Sequence, residues 1–502
     1  MDADFDIILV TAEYHEDHPF SASGVIARVL EAKGYSVGIM EKPTEKRDFT
    51  RLGKPKLCFA VTSGSVDSMV RNYTPLKKKR GSEMPDRAVI LYCNKLREYF
   101  KGCFIVIGGV EASLRRFCHY DYWDNALRRS ILLDSRADIL VYGNGEKQII
   151  EIAGRLRNKL AIAGIRGTCI IEKNMPENFA EMPSYEQAKQ DKKMFCKSHT
   201  MFSNNKNLAQ KHGNRYVLQY KYPDYTPEDI DWVYSLQFSR KLRKNSPLLM
   251  SRWSVVTHRG CFGRCSFCSI ALHQGDKIIS RSERSIIAEL EKIAKLKEFN
   301  GIIEDIGGPS ANMYGMDCRE ACPDCIKCEK LSHDRLIGLL RHARKVRGIK
   351  RIFIRSGIRY DLALKDKRYI KEIAKHHVSG CLKIAPEHFS KSVLKLMNKE
   401  NSRFDEFLSV FNSVKGRQQL RYYFMICHPG ENMKTMRELV NKAKKLRNIE
   451  QFQMFTPTPM TISSCMYWTG LNPFTLEKID VVHDYKTKKQ MKREFLKAVI
   501  TN

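Results

Sequence analysis

Short apolar runs at residues 7–10, 37–40, 57–61, 104–107 and 139–141 recur through the first third of the chain, separated by stretches with helical spacing such as 24–33 and 125–135. A strand that is apolar on both faces belongs in a parallel sheet covered by helices on each side, because there it meets no water. Residues 1–165 are therefore predicted to form one doubly wound α/β domain, with Gly- and Ser-rich loops at the strand ends. Residues 166–250 are more polar, aromatic and less periodic. They include Tyr222-Pro223-Asp224-Tyr225 and Asn245-Ser246-Pro247 and read as a connector or lid.

The alternation resumes at residue 251. Strands are predicted at 254–258, 301–306, 351–355, 381–385, 420–426 and 451–455, with amphipathic helices at 284–299, opened by Ser282, and at 335–346, opened by Ser332 as N-cap. Six βα units across residues 251–475 fit a partial TIM-type (βα)6 barrel, whose site lies where the strand C-termini open into loops. Residues 476–502 read as a basic C-terminal tail.

Charge adds one question to this picture. The 502-residue chain carries 87 Lys and Arg against 56 Asp and Glu, a net charge of +31, which raises RNA or another polyanion as partner. Against that, the basic residues are spread along most helical stretches, the ordinary pattern of a solvated face, and the densest runs, Lys77-Lys78-Lys79-Arg80 and 486–493, are short. No run of 18 apolar residues occurs, and the acidic start Met1-Asp2-Ala3-Asp4-Phe5-Asp6 differs from the basic start of a signal peptide. The expectation is a cytoplasmic protein with no membrane partner.

The 16 cysteines change the picture more, because seven of them fall into two short clusters. In a reducing compartment such clusters read as metal ligands. Cys261, Cys265 and Cys268 stand at C-x3-C-x2-C directly after the first barrel strand. Three thiolates on a four-iron cubane leave one iron open, as a catalytic metal site requires. Gly260 and Gly263 let the backbone wrap closely round a bulky anion, and Phe262 and Phe267 can shield it from water. A zinc knuckle, completed by His258 or His273, and three simple core thiols are the competing readings.

Cys318, Cys322, Cys325 and Cys328 form C-x3-C-x2-C-x2-C in the loop after the second strand. Four ligands close a site, giving an auxiliary iron–sulfur cluster or a structural zinc. Spacing alone does not separate the two sets, since Cys318, Cys322 and Cys325 repeat the first pattern; the strand-end position and flanking aromatics favour Cys261, Cys265 and Cys268 as the catalytic one. Cys58, Cys93, Cys103, Cys169 and Cys381 lie in apolar segments and read as core.

Beyond the cysteines, ordered blocks run from residue 5 to 474: Asp17-His18-Pro19, Gly108-Gly109-Val110-Glu111-Ala112-Ser113-Leu114-Arg115-Arg116, His119-Tyr120-Asp121-Tyr122-Trp123, Gly307-Gly308-Pro309-Ser310-Ala311-Asn312, Ser356-Gly357-Ile358-Arg359-Tyr360-Asp361, Ala385-Pro386-Glu387-His388, His428-Pro429-Gly430 and Met466-Tyr467-Trp468-Thr469-Gly470. In these the chain closely resembles the YgiQ-type radical S-adenosylmethionine (SAM) family. The resemblance implies a [4Fe-4S] cluster whose open iron chelates SAM, an electron from a reductant such as flavodoxin or ferredoxin, and a 5′-deoxyadenosyl radical. It also implies SAM contacts. Gly307-Gly308-Pro309 stands where the superfamily usually has Gly-Gly-Glu, so Asp305 or Glu304 is the candidate replacement carboxylate. Ser356, Arg359 and Asp361 follow the third strand, while Lys383 and Glu387 flank the end of the fourth, suited to the SAM carboxylate and a ribose hydroxyl.

The N-terminal domain resembles the cobalamin-binding domains of other radical SAM enzymes, although Asp17-His18-Pro19-Phe20-Ser21-Ala22 lacks the Asp-x-His-x-x-Gly ligand signature, which leaves cobalamin without a histidine ligand beside Gly108-Gly109. Arg115-Arg116 with residues 119–123 offers anion and stacking contacts or an inter-domain interface. The leading functional expectation is an enzyme that abstracts hydrogen from an unidentified substrate. The alternatives are a tRNA- or rRNA-modifying radical SAM enzyme and a non-catalytic iron–sulfur or zinc protein that binds nucleic acid.

Overall fold

A computed structural model describes residues 4–81, 84–318, 325–399 and 402–500. The chain forms two compact units, one of residues 1–224, 236–244 and 456–478, the other of 225–235, 245–455 and 479–502.

The first unit is built on a nine-stranded sheet. Its strands are β1 (Ile7–Thr11), β2 (Val37–Glu41), β3 (Cys58–Thr62), β4 (Ile105–Gly108), β7 (Ile139–Val141), β8 (Thr168–Glu172), β9 (Ala180–Met182), β10 (Leu208–His212) and β11 (Arg215–Gln219), while β5 (His119–Asp121) and β6 (Ala126–Arg128) form a separate antiparallel pair. The order is β2-β1-β3-β4-β7-β8-β11-β10-β9. The five strands anticipated from their apolar runs make the parallel half, and all five residues of β1 are buried.

The stretch read as a connector is not one. Its strands extend the sheet, β8, β11 and β10 through antiparallel pairings and β9 through a parallel pairing with β10, with Gly213 in left-handed conformation at the β10–β11 turn. Residues 125–135 are likewise not one helix: they give β6 and then the short helix Ile131–Ser135, which Ser130 caps.

Arg115 and Arg116 are saturated inside this unit rather than offered to an anion. Arg115 is buried between Asp67 (2.8 Å) and Asp121 (3.1 Å), and the Arg116 guanidinium lies over the rings of Tyr142 and Phe202 while donating to Gln219. Buried guanidinium groups persist only when their donors are met in this way. Tyr120 stacks on Trp468 at 4.9 Å, which ties helix Ile462–Thr469 to the same unit.

The second unit carries a broken arc of parallel strands. β12 (Val255–Val256) pairs with β16 (Ile306–Gly307), β15 (Ile302–Ile303) pairs with β17 (Arg351–Ile352), and β18 (Cys381–Glu387), β19 (Gln419–Ile426) and β20 (Ile449–Met454) pair in succession. A parallel bridge between Ile358 and Ile384 links the third strand position to the fourth. The second strand position is split into β15 and β16 around Glu304-Asp305, whose carboxylates turn to neighbouring backbone instead of continuing the ladder. A short antiparallel pair, β13 (His258–Arg259) and β14 (Ile279–Ser280), brackets the first cysteine loop.

Helix Glu283–Ala294 is capped by Ser282, which accepts from the Ser285 amide, and buries Ile286, Leu290 and Ile293. In helix Asp334–Ala343 the capping position is His333, one residue later than anticipated, although Ser332 Oγ still accepts from the Asp334 amide at 3.0 Å. The basic tail is a helix, Tyr485–Ile500, that buries Met491, Phe495 and Ala498 on one face. Phe495 packs 6.0 Å from Phe424 and 5.1 Å from Phe452, against two adjacent strands of the arc. Lys486, Lys489 and Lys497 lie on the solvent side, as amphipathic packing requires, while Lys488 is buried.

Candidate functional site

The first cysteine loop starts where β13 ends. Gly260 has φ +83°, and a Cβ there would lie 1.9 Å from the Lys277 carbonyl oxygen, so only glycine lets the returning strand pass so closely. The loop is held along its whole length: the Cys261 amide donates to Gly275 O (3.1 Å), the Cys268 amide to Cys265 O (2.9 Å) and the Ser266 amide to Met397 O (2.9 Å). Asn398 Nδ2 donates to Arg264 O at 2.9 Å, and Arg264 pairs with Asp276 at 2.7 Å.

All three cysteines are half-buried. Burial pushes the Cys268 thiol up to about 12, and the adjacent Cys265 and Cys261 add to the rise; Cys261 is raised by burial as well. Three thiols in this setting ionise together only with a cationic partner between them, so the donor set fits a metal cluster. Among the described residues no three His, Cys, Asp or Glu side chains converge on a single-ion site. His258, one suggested fourth ligand of a zinc knuckle, is buried with Nδ1 against Thr257 Oγ1 (2.9 Å) and its ring against Gly308.

Two cations approach the loop. Arg359 is buried, and its Nη1 donates to Cys265 Sγ at 3.7 Å while Nε (3.1 Å) and Nη2 (2.5 Å) engage Asp361. Asn312 fixes the Arg359 backbone from both sides, donating to its carbonyl and accepting from its amide, each at 2.9 Å. Lys399 is largely buried, pairs with Glu387 at 2.9 Å, and its charge acts on all three thiols. Sequence reasoning missed Lys399 and Asn312.

The other anticipated residues are placed less uniformly. Gly307 faces Ser356, since a Cβ on it would come 3.3 Å from Ser356 Oγ, and a Cβ on Gly308 would come within 2.6–2.8 Å of the His258 ring. Only at Gly308 would a Cβ clash outright, while at Gly307 it would be tight against Ala311 and Ser356. Asp305 and Glu304, the candidate replacements for the missing carboxylate of the Gly-Gly-Glu pattern, both accept from this chain's own groups. Asp305 accepts from the Arg355 (2.8 Å) and Ser356 (3.1 Å) amides and from Ser356 Oγ, and Glu304 accepts from the Trp253 amide. Lys383 lies inside β18 with its ammonium 5.9 Å from the Tyr423 ring, while Glu387 ends that strand in a left-handed conformation, φ +64°.

Of the second cysteine set, Cys318 is exposed, Cys325 and Cys328 are half-buried, and Cys322 lies outside the described residues. Cys325 packs on the apolar cluster of Phe262, Ile278, Met313, Met316 and Leu362, and Cys261 packs on the same cluster. The two cysteine loops therefore share one small core. Nearby, buried His388 donates from Nε2 to Glu431 (3.0 Å), because its Nδ1 accepts the Ser390 amide.

Several buried histidines here are held uncharged. Burial lowers His258 and His333 to about 4 and His428 to about 3, whereas in an unfolded chain each takes up a proton near pH 6.5. The unfolded state therefore binds more protons as pH falls from 6.5 toward 4, and stability falls with it. At pH 5 each such histidine costs about 2 kcal/mol relative to pH 7.5. Urea midpoints at the two pH values should differ clearly; equal midpoints would show that these rings are protonated in the native state.

Three family models match successive parts of the chain. A Radical SAM superfamily model matches residues 255–443, a Radical SAM N-terminal model matches 2–248, and a domain of unknown function, DUF3362, matches 450–499. The chain is 41% identical to a UPF0313 protein of Clostridium botulinum (strain ATCC 19397 / Type A), over 99% of this chain and 84% of that protein. It is 42% identical to UPF0313 protein MJ1155 of Methanocaldococcus jannaschii, over 97% and 89% respectively. Among solved structures it is similar in fold to the radical SAM methyltransferase TsrM from Kitasatospora setae, with TM-score 0.55 and 15% identity over 92% of this chain and 76% of that one. The cobalamin-dependent radical SAM enzyme OxsB gives TM-score 0.53 and 10% identity, over 92% and 55%.

Proposed function

The chain belongs to the UPF0313 family of radical SAM proteins, and from that premise we propose that Cys261, Cys265 and Cys268 hold the [4Fe-4S] cluster at which SAM is reductively cleaved. The observation that carries the assignment is the loop itself, three thiols at the exit of the first strand with every turn tied to the surrounding backbone and Arg359 donating to Cys265 Sγ. When bound, the cluster and SAM supply a 5′-deoxyadenosyl radical that acts on an unidentified substrate. A low-potential donor such as flavodoxin or ferredoxin is the partner this requires.

This chain's residues provide the setting. Gly307, Gly308, Ser356, Arg359 and Glu387, at or near strand C-termini, and Lys383 within β18 are the proposed SAM contacts; Asp305 holds Ser356 in place and Asp361 holds Arg359. Phe262 is buried beside Cys261, and Phe267 meets the buried His428 ring edge-on at 6.2 Å, so apolar surface keeps water from the thiols. For Cys325 and Cys328 we propose an auxiliary metal site that steadies the shared core.

The TsrM and OxsB structures contain cobalamin, and for this chain cobalamin is proposed only without a histidine ligand. Both ring nitrogens of His18 are engaged, Nδ1 with the Phe20 amide (3.1 Å) and Nε2 with Arg240 (3.4 Å), and the space beside Gly109 is taken by Thr62 Oγ1.

Full-length protein reconstituted with iron and sulfide, then given dithionite and SAM without oxygen, should release 5′-deoxyadenosine. A fully iron-loaded protein that leaves SAM intact would overturn the enzymatic reading.

A further inference from the structure

We infer that the ion pairs Arg359–Asp361 and Lys399–Glu387 set the reduction potential of the cluster proposed on Cys261, Cys265 and Cys268, each presenting its cation to the thiolates. The inference rests on that ligand assignment and adds to it a role for residues outside the loop.

The geometry is specific. Arg359 reaches the cluster loop with one guanidinium nitrogen on Cys265 Sγ, and a Cβ on Gly263 would come 2.8 Å from that same Nη1, so the loop is glycine where the guanidinium passes. Lys399 arrives from the other element that grips the loop. The segment Met397-Asn398-Lys399 binds the Ser266 amide through Met397 O and the Arg264 carbonyl through Asn398, and the Lys399 ammonium, paired with Glu387 at 2.9 Å, is carried on that same segment. Neither cation is placed by accident of a flexible surface chain. Arg359 is 8% exposed and the Lys399 side chain 13%.

Two buried cations cost desolvation, and each is already offset by a carboxylate. What remains is orientation. A four-iron cubane on three thiolates is a net anion, and one-electron reduction adds a further negative charge without moving any atom far. Charge, hydrogen bonds to sulfur and solvent exposure are what set such a potential. Arg359 and the Lys399 side chain are themselves largely buried, so their charges are screened less than those of surface groups and stabilise the reduced form more than the oxidised one. The carboxylates act in the opposite sense, so the pairs bracket the potential from both sides.

The test is an EPR-monitored titration of full-length, anaerobically reconstituted protein, with dithionite as the one-electron donor, following the signal that changes on adding SAM. Iron and sulfide content is measured alongside. Lys399→Met should make reduction at least tenfold harder, a midpoint more negative by ~59 mV. Glu387→Gln, which removes the negative end of the same pair, should move it the other way, and Lys399→Arg should stay near wild type.

A Lys399→Met protein with full iron and an unshifted midpoint overturns the inference. If that variant takes up no iron, Glu387→Gln decides alone: a midpoint that is unchanged or more negative overturns it too. A wild-type protein with no SAM-responsive signal sinks the ligand assignment instead, and iron content separates the two failures.

Discussion

Cys265→Ala protein is expected to lose the broad four-iron absorption of the catalytic cluster and all release of 5′-deoxyadenosine. The middle cysteine is the most exacting of the three. Its backbone carbonyl receives the Cys268 amide and its sulfur receives Arg359 Nη1, so it connects the turn to the cation that steadies it. With two thiolates left, a cubane has two open irons and no fixed orientation, and chelation of SAM at one defined iron is lost. Alanine leaves the backbone bond from the Cys268 amide intact, so the apo fold should survive. Circular dichroism and the melting temperature check that the loss is one of ligation.

Cys325→Ala supplies the contrast. It lies on the same apolar cluster as Cys261 but in the other loop, and SAM cleavage should persist in it. Cleavage that survives Cys265→Ala and disappears in Cys325→Ala would exchange the roles of the two loops.

The parallel core of each unit was legible because strands buried on both faces announce themselves as unbroken apolar runs, as in β1. The antiparallel strands were not. β8 and β10 each expose a residue near one end, and β11 begins exposed, so neither clean alternation nor a solid run marks them. The final helix was hidden by its own solvent face. Met491, Phe495 and Ala498 keep helical spacing, yet six lysines and arginines between residues 486 and 497 make the segment read as a charged tail.

At the site, spacing was enough to find the cysteines, because a cluster's ligands must be close in space and here they are close in sequence. It was not enough to find Lys399, one basic residue among 87, whose meaning depends on the turn that brings Met397 O and Asn398 to the loop. The carboxylate of Asp305 has a second role that sequence does not display. Asp305 sits at a strand break, and its oxygens go to the Arg355-Ser356 amides left open there, an obligation of the backbone that sequence position alone does not display.

Gly260→Ala is expected to damage the site nearly as much as loss of a ligand, for a different reason. The residue stands between β13 and Cys261 with φ +83°, and its missing side chain is where the Lys277 carbonyl passes, 1.9 Å from an added Cβ. Left-handed strain on a non-glycine residue costs ~1–3 kcal/mol, and the clash with backbone adds to it because neither strand of the β13–β14 pair can yield without breaking its ladder. The total should reach about 3 kcal/mol or more, in the range of the severe single substitutions.

Since the Cys261 amide is fixed to Gly275 O across the same gap, moving the chain at residue 260 moves the first ligand. The variant should therefore show both a lowered melting temperature as apo-protein and poor iron uptake. Gly338→Ala is the control: that glycine lies within helix Asp334–Ala343 and an added Cβ meets nothing within 4 Å, so the change should be neutral or stabilising by up to ~1 kcal/mol. Equal melting temperatures and equal iron content for the Gly260→Ala and Gly338→Ala proteins would mean that the loop is free to rearrange, and that the close approach at Gly260 plays no part in presenting Cys261.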